Sequence, residues 1–146
     1  MNSNLVGNQY SLSIRICSDG FSLFIYDEKH LLISGKDIKS EQGTDQTEFL
    51  KKALEIHKEL HQEYNDISII CESKHHTLVP EIFHNTENQK AVLRLQHPSL
   101  PDSCQIFHST LINRQCVLIY GLEQSITNIF LSHFQNIRFE SHLTEI

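Results

Sequence analysis

The stretch that decides the fold is residues 10–33, YSLSIRICSDGFSLFIYDEKHLLI. Between Tyr10 and Cys17 apolar residues alternate with Ser, Arg and Cys, which is the period-two pattern of a half-buried strand. Ser18-Asp19-Gly20 then supplies turn chemistry, because Asp hydrogen-bonds nearby backbone and Gly tolerates positive φ. The sequence therefore predicts an antiparallel meander with strands over Tyr10–Cys17, Phe21–Tyr26 and Leu31–Ser34.

A long helix and a buried strand are predicted after the meander. Gly35–Thr44 is polar and is predicted to be a loop, and Asp45 with Glu48 three residues later resembles a capping box. The helix is expected over Asp45–Tyr64, with an apolar face formed by Phe49, Ala53, Ile56, Leu60 and Tyr64. Ile67–Cys71 is nearly all apolar, as in a strand buried on both faces. The long connection predicts that this strand runs parallel to the first.

The second half of the chain predicts further elements of the same domain. Thr77–Phe83 is predicted to be a loop that enters a short helical turn, with Pro80 suited to the first helical position. The later elements are predicted to be a helix opened by Thr86 and Gln89 and ending at Leu95, a hairpin of Gln105–Ile112 and Gln115–Tyr120 around Asn113-Arg114, a helix over Glu123–Phe134, and a strand over Ile137–Leu143. No repeat or linker interrupts the chain, so we expect a single domain over residues 1–146.

Composition excludes several classes of function. A formal charge of −6 argues against a general polyanion binder, and hence against nucleic acid as a partner. Lysines do cluster at Lys51, Lys52 and Lys58, but glutamates share their helix, which indicates a solvated face of mixed charge. No apolar run approaches the roughly 20 residues that cross a bilayer, and the N-terminus lacks the features of a secretory signal. We expect a cytoplasmic protein without a membrane partner.

Four segments of the sequence resemble a known family. They are Tyr10-Ser-Leu-Ser-Ile, Ser18-Asp-Gly-Phe-Ser22, Thr77-Leu-Val-Pro80 and Val117-Leu-Ile-Tyr-Gly121, and they look like the bacterial proteins grouped as domain of unknown function 3822. That family is similar in fold to actin-like ATPases, which are built from two ribonuclease H-like lobes. The resemblance implies an α/β fold with a mixed sheet, in which a meander and a parallel strand carry packed helices. It covers only the first lobe, so we expect a second lobe beyond residue 146.

The fold implied by the resemblance raises the possibility of nucleotide binding. In actin-like ATPases the first hairpin wraps phosphate with backbone amides, and Ser18, Asp19 and Gly20 occupy the corresponding turn. This turn has one Gly, is followed by bulky Phe21, and has no Lys before Lys29. Amides crowded by a large side chain, without a fixed cation, make a poor phosphate site. We expect a plain hairpin turn and no cofactor.

The carboxylates and histidines of the sequence have structural explanations that compete with metal chemistry. A two-metal nuclease needs converging carboxylates, and Asp19, Glu48 and Glu72 lie on or beside suitable elements, yet Asp19 is at a turn and Glu48 suits a cap. His57 and His61 have zinc-compatible i,i+4 spacing, but no neighbouring Glu gives an HExxH pattern, so we expect packed or boundary histidines. The set His97, Cys104 and His108 and the pair His75-His76 lack the ligand number of a zinc site.

Four cysteines, Cys17, Cys71, Cys104 and Cys116, are too widely spaced for a CxxC knuckle and are expected to be free thiols, since a chain that forms its own core in a reducing compartment needs no disulfide framework. No catalytic or metal-ligating residue is therefore assigned from the sequence.

Two hypotheses about function stay open. In the first, the chain is a non-catalytic binding or scaffold element that recognises a protein partner and is not an enzyme. In the second, a full-length protein binds ATP between two lobes.

Overall fold

The computed structural model describes residues 10–17, 19–41, 43–111 and 115–145. These residues group into two compact units. The first holds the described part of residues 1–71 together with Asn128–Phe139. The second holds the described part of Glu72–Thr127 and of residues 140–146. The prediction of one domain over residues 1–146, with a second lobe beyond, stays a prediction.

A five-stranded mixed sheet forms the centre of the first unit. Its strands are β1 (Ser11–Cys17), β2 (Gly20–Tyr26), β3 (Leu32–Lys39), β4 (Asp66–Cys71) and β8 (Ile137–Ser141), in the order β3-β2-β1-β4-β8. β1 pairs antiparallel with β2, β2 antiparallel with β3, and β1 parallel with β4. The predicted meander and its parallel neighbour are thus confirmed. Leu12 and Ile14 of β1 and Ile69 of β4 are buried, as the apolar pattern of these strands requires.

The third strand is longer than the sequence predicted. β3 continues to Lys39, so the prediction of a loop over Gly35–Thr44 is wrong for its first half. The pattern of this segment is obscure because β3 lies at the edge of the sheet and is exposed along most of its length. Pairing with β2 fixes the strand, and the hydroxyl of Ser22 donates to the Asp37 carboxylate across the two strands at 2.5 Å.

The helix after the meander is also shorter than predicted. α1 spans Gln46–Ile56, and Asp45 caps it by accepting a hydrogen bond from the Glu48 amide at 3.2 Å. The chain becomes extended at His57 and then makes a 3₁₀ turn over Lys58–His61. The prediction of one helix over Asp45–Tyr64 is therefore wrong beyond residue 56.

The break in this helix changes which side chains are buried. The buried residues are Leu50, Ala53, Leu54 and, in the 3₁₀ turn, Leu60, whereas Ile56 is 72% exposed. The prediction that Ile56 belongs to the buried apolar face of a continuous helix is therefore wrong. The imidazole Nε2 of His61 donates to the Glu55 carbonyl at 3.0 Å and stabilises this helix end, because terminal carbonyls lack partners within the helix.

The second unit is built on a three-stranded antiparallel sheet. Its elements are β5 (His75–Pro80), a 3₁₀ turn (Glu81–Phe83), α2 (Gln89–Gln96), β6 (Cys104–Leu111) and β7 (Cys116–Glu123), with the strand order β5-β7-β6. The antiparallel pairing of β6 and β7 confirms the predicted hairpin. Its turn residues Asn113 and Arg114 lie outside the described residues. Leu93 of α2 is fully buried and belongs to the same core cluster as Val117 and Ile119.

Two predictions for this unit need correction. Residues 75–80 form a strand and not a loop, because all six pair with β7. Pro80 is compatible with that strand since it ends an edge strand, where a missing amide donor is tolerated. α2 begins at Gln89 with Asn88 as its cap residue, and no side-chain hydrogen bond caps it. The expected capping by Thr86 is therefore not observed.

The last elements agree closely with the sequence. α3 spans Gln124–His133, where a helix over Glu123–Phe134 was predicted. β8 ends at Ser141 and is followed by a 3₁₀ turn over His142–Glu145, so the predicted strand to Leu143 is two residues too long. Within the described residues no helix is both long and apolar enough to cross a membrane.

Candidate functional site

The turn between β1 and β2 is the position at which the sequence raised the question of phosphate binding. Ser18 lies outside the described residues, so only Asp19 and Gly20 of the turn are described. Gly20 has φ of +150°, and a Cβ added to it would lie 2.1 Å from the carbonyl oxygen of Ile38. Only glycine fits here, because both the backbone conformation and the approach of β3 exclude a side chain.

The end of β3 packs against this turn and engages its polar groups. Gly20 pairs with Lys39 in the ladder, and the Ser40 amide donates to the Asp19 carbonyl at 2.8 Å. The Lys39 ammonium lies 3.3 Å from the Asp19 carboxylate. The side-chain amide Nε2 of Gln46 donates to the Cys17 carbonyl, just before the turn, at 3.3 Å. The chain's own groups thus hold the turn.

The contact of Lys39 with this turn was not predicted from the sequence. Its side chain is 70% exposed and that of Asp19 is 64% exposed, so the pair is worth at most about 1 kcal/mol. The signal that could have found it is Ile38, an isolated apolar residue in a polar stretch, opposite Phe21 in the ladder. The pair cancels charge locally, and an incoming anion would have to compete with Asp19 for the Lys39 ammonium.

The carboxylates of the nuclease hypothesis do not form a metal centre in the described chain. Asp19 is committed to Lys39, and Glu48 stands in the first turn of α1. Glu72 immediately follows β4. No group of three or more His, Cys, Asp or Glu side chains that could hold a metal ion occurs among the described residues.

The two histidines of the helix serve structural contacts. His57 lies after the end of α1, so it does not share a continuous helix with His61 as the i,i+4 pattern assumed. The Nδ1 of His57 accepts a hydrogen bond from the Lys36 ammonium at 3.2 Å. The His61 ring lies edge-on to the ring of His133 at 5.3 Å, and the Nε2 of His133 donates to the Leu60 carbonyl at 2.9 Å.

A second polar cluster surrounds the break in the helix. The Lys36 ammonium, besides its contact with His57, lies 3.8 Å from Oε1 of Glu59. The Tyr64 hydroxyl donates to the Glu59 carbonyl at 2.7 Å. Burial, with a smaller contribution from the charge of Glu59, raises the pKa of Tyr64 to about 12. Tyr64 therefore remains a hydrogen-bond donor across the physiological range, and the cluster fixes the 3₁₀ turn.

The remaining histidines of the sequence analysis fall in the second unit. His97 contacts the pair His75-His76, with its ring centroid 5.3 Å from that of His75. His108 contacts His84 at 4.7 Å between ring centroids and is not joined with His97 and Cys104 in a metal-binding group. The contact between His97 and the pair could not be seen in the sequence, because it depends on how α2 packs on β5.

None of the four cysteines forms a disulfide, as the sequence predicted. Burial raises the pKa of Cys71 to about 12. Burial also raises the pKa of Cys104; the Glu123 carboxylate adds to this effect and Lys90 opposes it. Because the thiolate is the nucleophile, these shifts make both cysteines poorer nucleophiles at neutral pH.

The comparisons with known proteins agree with this architecture. The family described as Protein of unknown function (DUF3822) matches residues 2–146. A crystal structure from Bacteroides thetaiotaomicron, of a protein with actin-like ATPase fold and unknown function, is similar with a TM-score of 0.89 and 24% identity. The match covers 99% of this chain and 56% of that one. At this identity the likeness shows the fold alone, which confirms the fold class.

A second structure is much less similar. The Plasmodium falciparum glycerol kinase with ADP is 11% identical with a TM-score of 0.30, and the match covers 65% of this chain and 24% of that one, so this likeness carries no argument. A comparison with curated proteins finds no match. The chain spans little more than half of the Bacteroides protein.

Proposed function

The chain belongs to the DUF3822 family of proteins of unknown function, and on that premise we propose that it is a non-catalytic binding element that recognises a protein partner. The observation that carries the proposal is the closed turn between β1 and β2. Gly20 faces the Ile38 carbonyl, the Asp19 carbonyl accepts from Ser40, and the Asp19 carboxylate pairs with Lys39. The carbonyl and the carboxylate of Asp19 and the ammonium of Lys39 are thus engaged within the chain.

Phosphate binding at such a turn needs free backbone amides and an uncompensated cation. Amide donors in a turn bind an anion when several point into one open concavity. Here β3 lies against Gly20, and the Lys39 ammonium is shared with the Asp19 carboxylate. Phosphoryl transfer depends almost entirely on positioning and charge stabilisation. A turn organised in this way argues against nucleotide chemistry at this position.

The exposed start of β3 supports the partner-binding part of the proposal. Leu31, Leu32 and Ile33 are 62%, 58% and 53% exposed, although all three are large and apolar. Leu32 and Ile33 begin β3, and Leu31 directly precedes it, at the edge of the sheet, where backbone groups are open to pairing with another chain. Large apolar side chains exposed at the edge of a sheet favour contact with another protein. We assign the partner-binding surface to this edge.

The test is affinity capture from the native source with the wild-type chain and two variants. Leu32→Glu places a charge at the proposed surface, and Ile56→Glu places the same charge at an exposed apolar residue outside β3 in the same unit. Both changes lie on the surface and should alter stability by no more than about 0.5 kcal/mol. We expect one co-purifying protein that Leu32→Glu loses and Ile56→Glu retains. Equal capture by all three chains would contradict the proposal.

Binding of ATP between two lobes of a longer protein is the second candidate. The observation that favours it is the position of the Lys39 ammonium beside Asp19, at a turn where the sequence predicted no cation. If this ammonium serves a nucleotide, Lys39→Met should abolish binding of magnesium ATP by the longer protein. If the first proposal is correct, the same change affects only the pairing with Asp19, and the longer protein binds no nucleotide in either form.

A further inference from the structure

Three imidazoles meet where α2 packs on β5 in the second unit. His97 follows the last residue of α2, and its backbone amide donates to the Leu93 carbonyl. Its ring lies over β5, with Nε2 2.9 Å from the carbonyl oxygen of His76 and 3.3 Å from the amide nitrogen of the same residue. The ring centroids lie 5.3 Å from His75 and 6.3 Å from His76.

The hydrogen bonds of these rings depend on their protonation. With Nε2 unprotonated, His97 accepts from the His76 amide; with Nε2 protonated, it donates to the His76 carbonyl instead. A doubly protonated ring is a donor only, so it keeps the second contact and loses the first. His76 in turn donates from Nδ1 to the Ser73 carbonyl at 3.2 Å. Both contacts join an imidazole to the backbone at or beside β5.

We propose that His75, His76 and His97 form an acid-sensitive joint, which holds α2 on β5 while the rings are neutral and loosens when they become charged. Three like charges within about 5–6 Å repel one another, and imidazole is the side chain that titrates between about pH 5 and pH 8.

The charges around the joint favour this behaviour. Lys74, beside the pair, adds positive charge, and the Glu123 carboxylate at the end of β7 opposes it by raising the pKa of His75. On α2 itself, Lys90 and Arg94 are both turned to Asp102, to its carbonyl at 3.2 Å and its carboxylate at 2.7 Å. Both cations are thus engaged by Asp102.

The direction of the pKa shift agrees with the geometry. Burial, and after it the charges of His97 and Lys74, lower the pKa of His75 below its ordinary value of 6.5. The folded form therefore binds fewer protons than the unfolded form just below pH 6.5. Stability is present in full above that pH, and it is lost as the pH falls towards the lower pKa of the folded state.

Loosening of the joint would uncover the core of the second unit. α2 supplies Leu93, which is fully buried with Val117 and Ile119, and Val92 packs against the same cluster. When α2 separates from β5, these apolar side chains become accessible to water. A fall in pH thus leads to local opening of α2 and not only to a change in single side chains.

Hydrogen exchange tests the joint directly. Protection of the amides of α2 and β5, corrected for intrinsic rates, is measured from about pH 7.5 to about pH 5 in the wild-type chain and in His97→Gln. Gln keeps a donor for the His76 carbonyl and does not titrate. We expect the wild-type chain to lose roughly tenfold in protection per unit of pKa separation, and the variant to lose much less.

Two further chains make the result unambiguous. His30→Asn removes an exposed histidine from the turn before β3, where φ of 63° suits Asn, and it should behave as the wild type. His75→Gln removes the second ring of the joint, should also flatten the profile, and serves if His97→Gln fails to fold. A wild-type profile without loss of protection, or one that both glutamine variants reproduce unchanged, would overturn the proposal.

Discussion

Replacing Gly20 by Ala is the sharpest perturbation of the closed turn. The added methyl carbon would lie 2.1 Å from the Ile38 carbonyl oxygen, and the backbone would keep φ of +150°, which L-residues rarely adopt. Backbone strain of this kind costs about 1–3 kcal/mol. Forcing β3 away to make room adds about 1–3 kcal/mol. We therefore expect Gly20→Ala to lower the free energy of unfolding by roughly 2–6 kcal/mol.

Gly43→Ala is the matched control for this prediction. Gly43 also has positive φ, +85°, but a Cβ there meets no atom within 4 Å. Only the conformational cost remains, about 1–2 kcal/mol. The measurement is urea unfolding followed by circular dichroism, with hydrogen exchange at the amides of β2 and β3 to report on the first unit. Equal losses for the two variants would refute the close approach of Ile38 to the turn.

Two further predictions concern the 3₁₀ turn after α1 and its surroundings. Leu60→Ala and Ile69→Ala remove side chains that are 1% and 0% exposed, so each should lower the free energy of unfolding by about 2–5 kcal/mol. Lys58→Ala, on the exposed side, should change it by no more than about 0.5 kcal/mol in denaturant melts. Three equal losses would contradict the burial. The raised pKa of Tyr64, about 12, means that the folded state holds its proton more tightly than the unfolded state, so stability should fall between pH 10 and about pH 12. Tyr64→Phe should remove that part of the slope in unfolding experiments, and an unchanged slope would show that other groups cause it.

The sequence predicted the centre of the fold because its signals there are local. Alternation in β1 and β2, the turn at Asp19-Gly20 and the apolar run of β4 each follow from residues close in the chain, and the pairing confirms them. The parallel arrangement of β1 and β4 followed from the length of the connection, which is too long for a hairpin.

The errors occur where tertiary contacts decide the conformation. β3 lies at an exposed edge, so its side chains show little alternation, and only its ladder with β2 defines it. α1 ends early because contacts from Lys36 and His133 stabilise the extended residue and the turn that follow it. The sequence predicts a loop in place of β5 because Pro80 hides the strand pattern, whereas pairing with β7 fixes the strand.

The sequence predicted where the candidate site lies, but it did not predict which residues contact it. Asp19 and Gly20 follow from turn chemistry in the sequence. The groups that close the turn come from about twenty residues further along, at Ile38 and Lys39, and only the register of β3 brings them there. The same holds for His97, whose contact with β5 depends on the packing of α2.

Calorimetric titration of the chain with magnesium ATP, up to about 1 mM, tests most directly the claim that the turn is closed by the chain itself. The proposal predicts no saturable heat, because Gly20 faces β3 and Lys39 is paired with Asp19. It also predicts that Asp19→Ala alters the stability of the turn and not the affinity for a nucleotide. Saturable binding that Asp19→Ala abolishes, with the free energy of unfolding unchanged, would contradict the proposal.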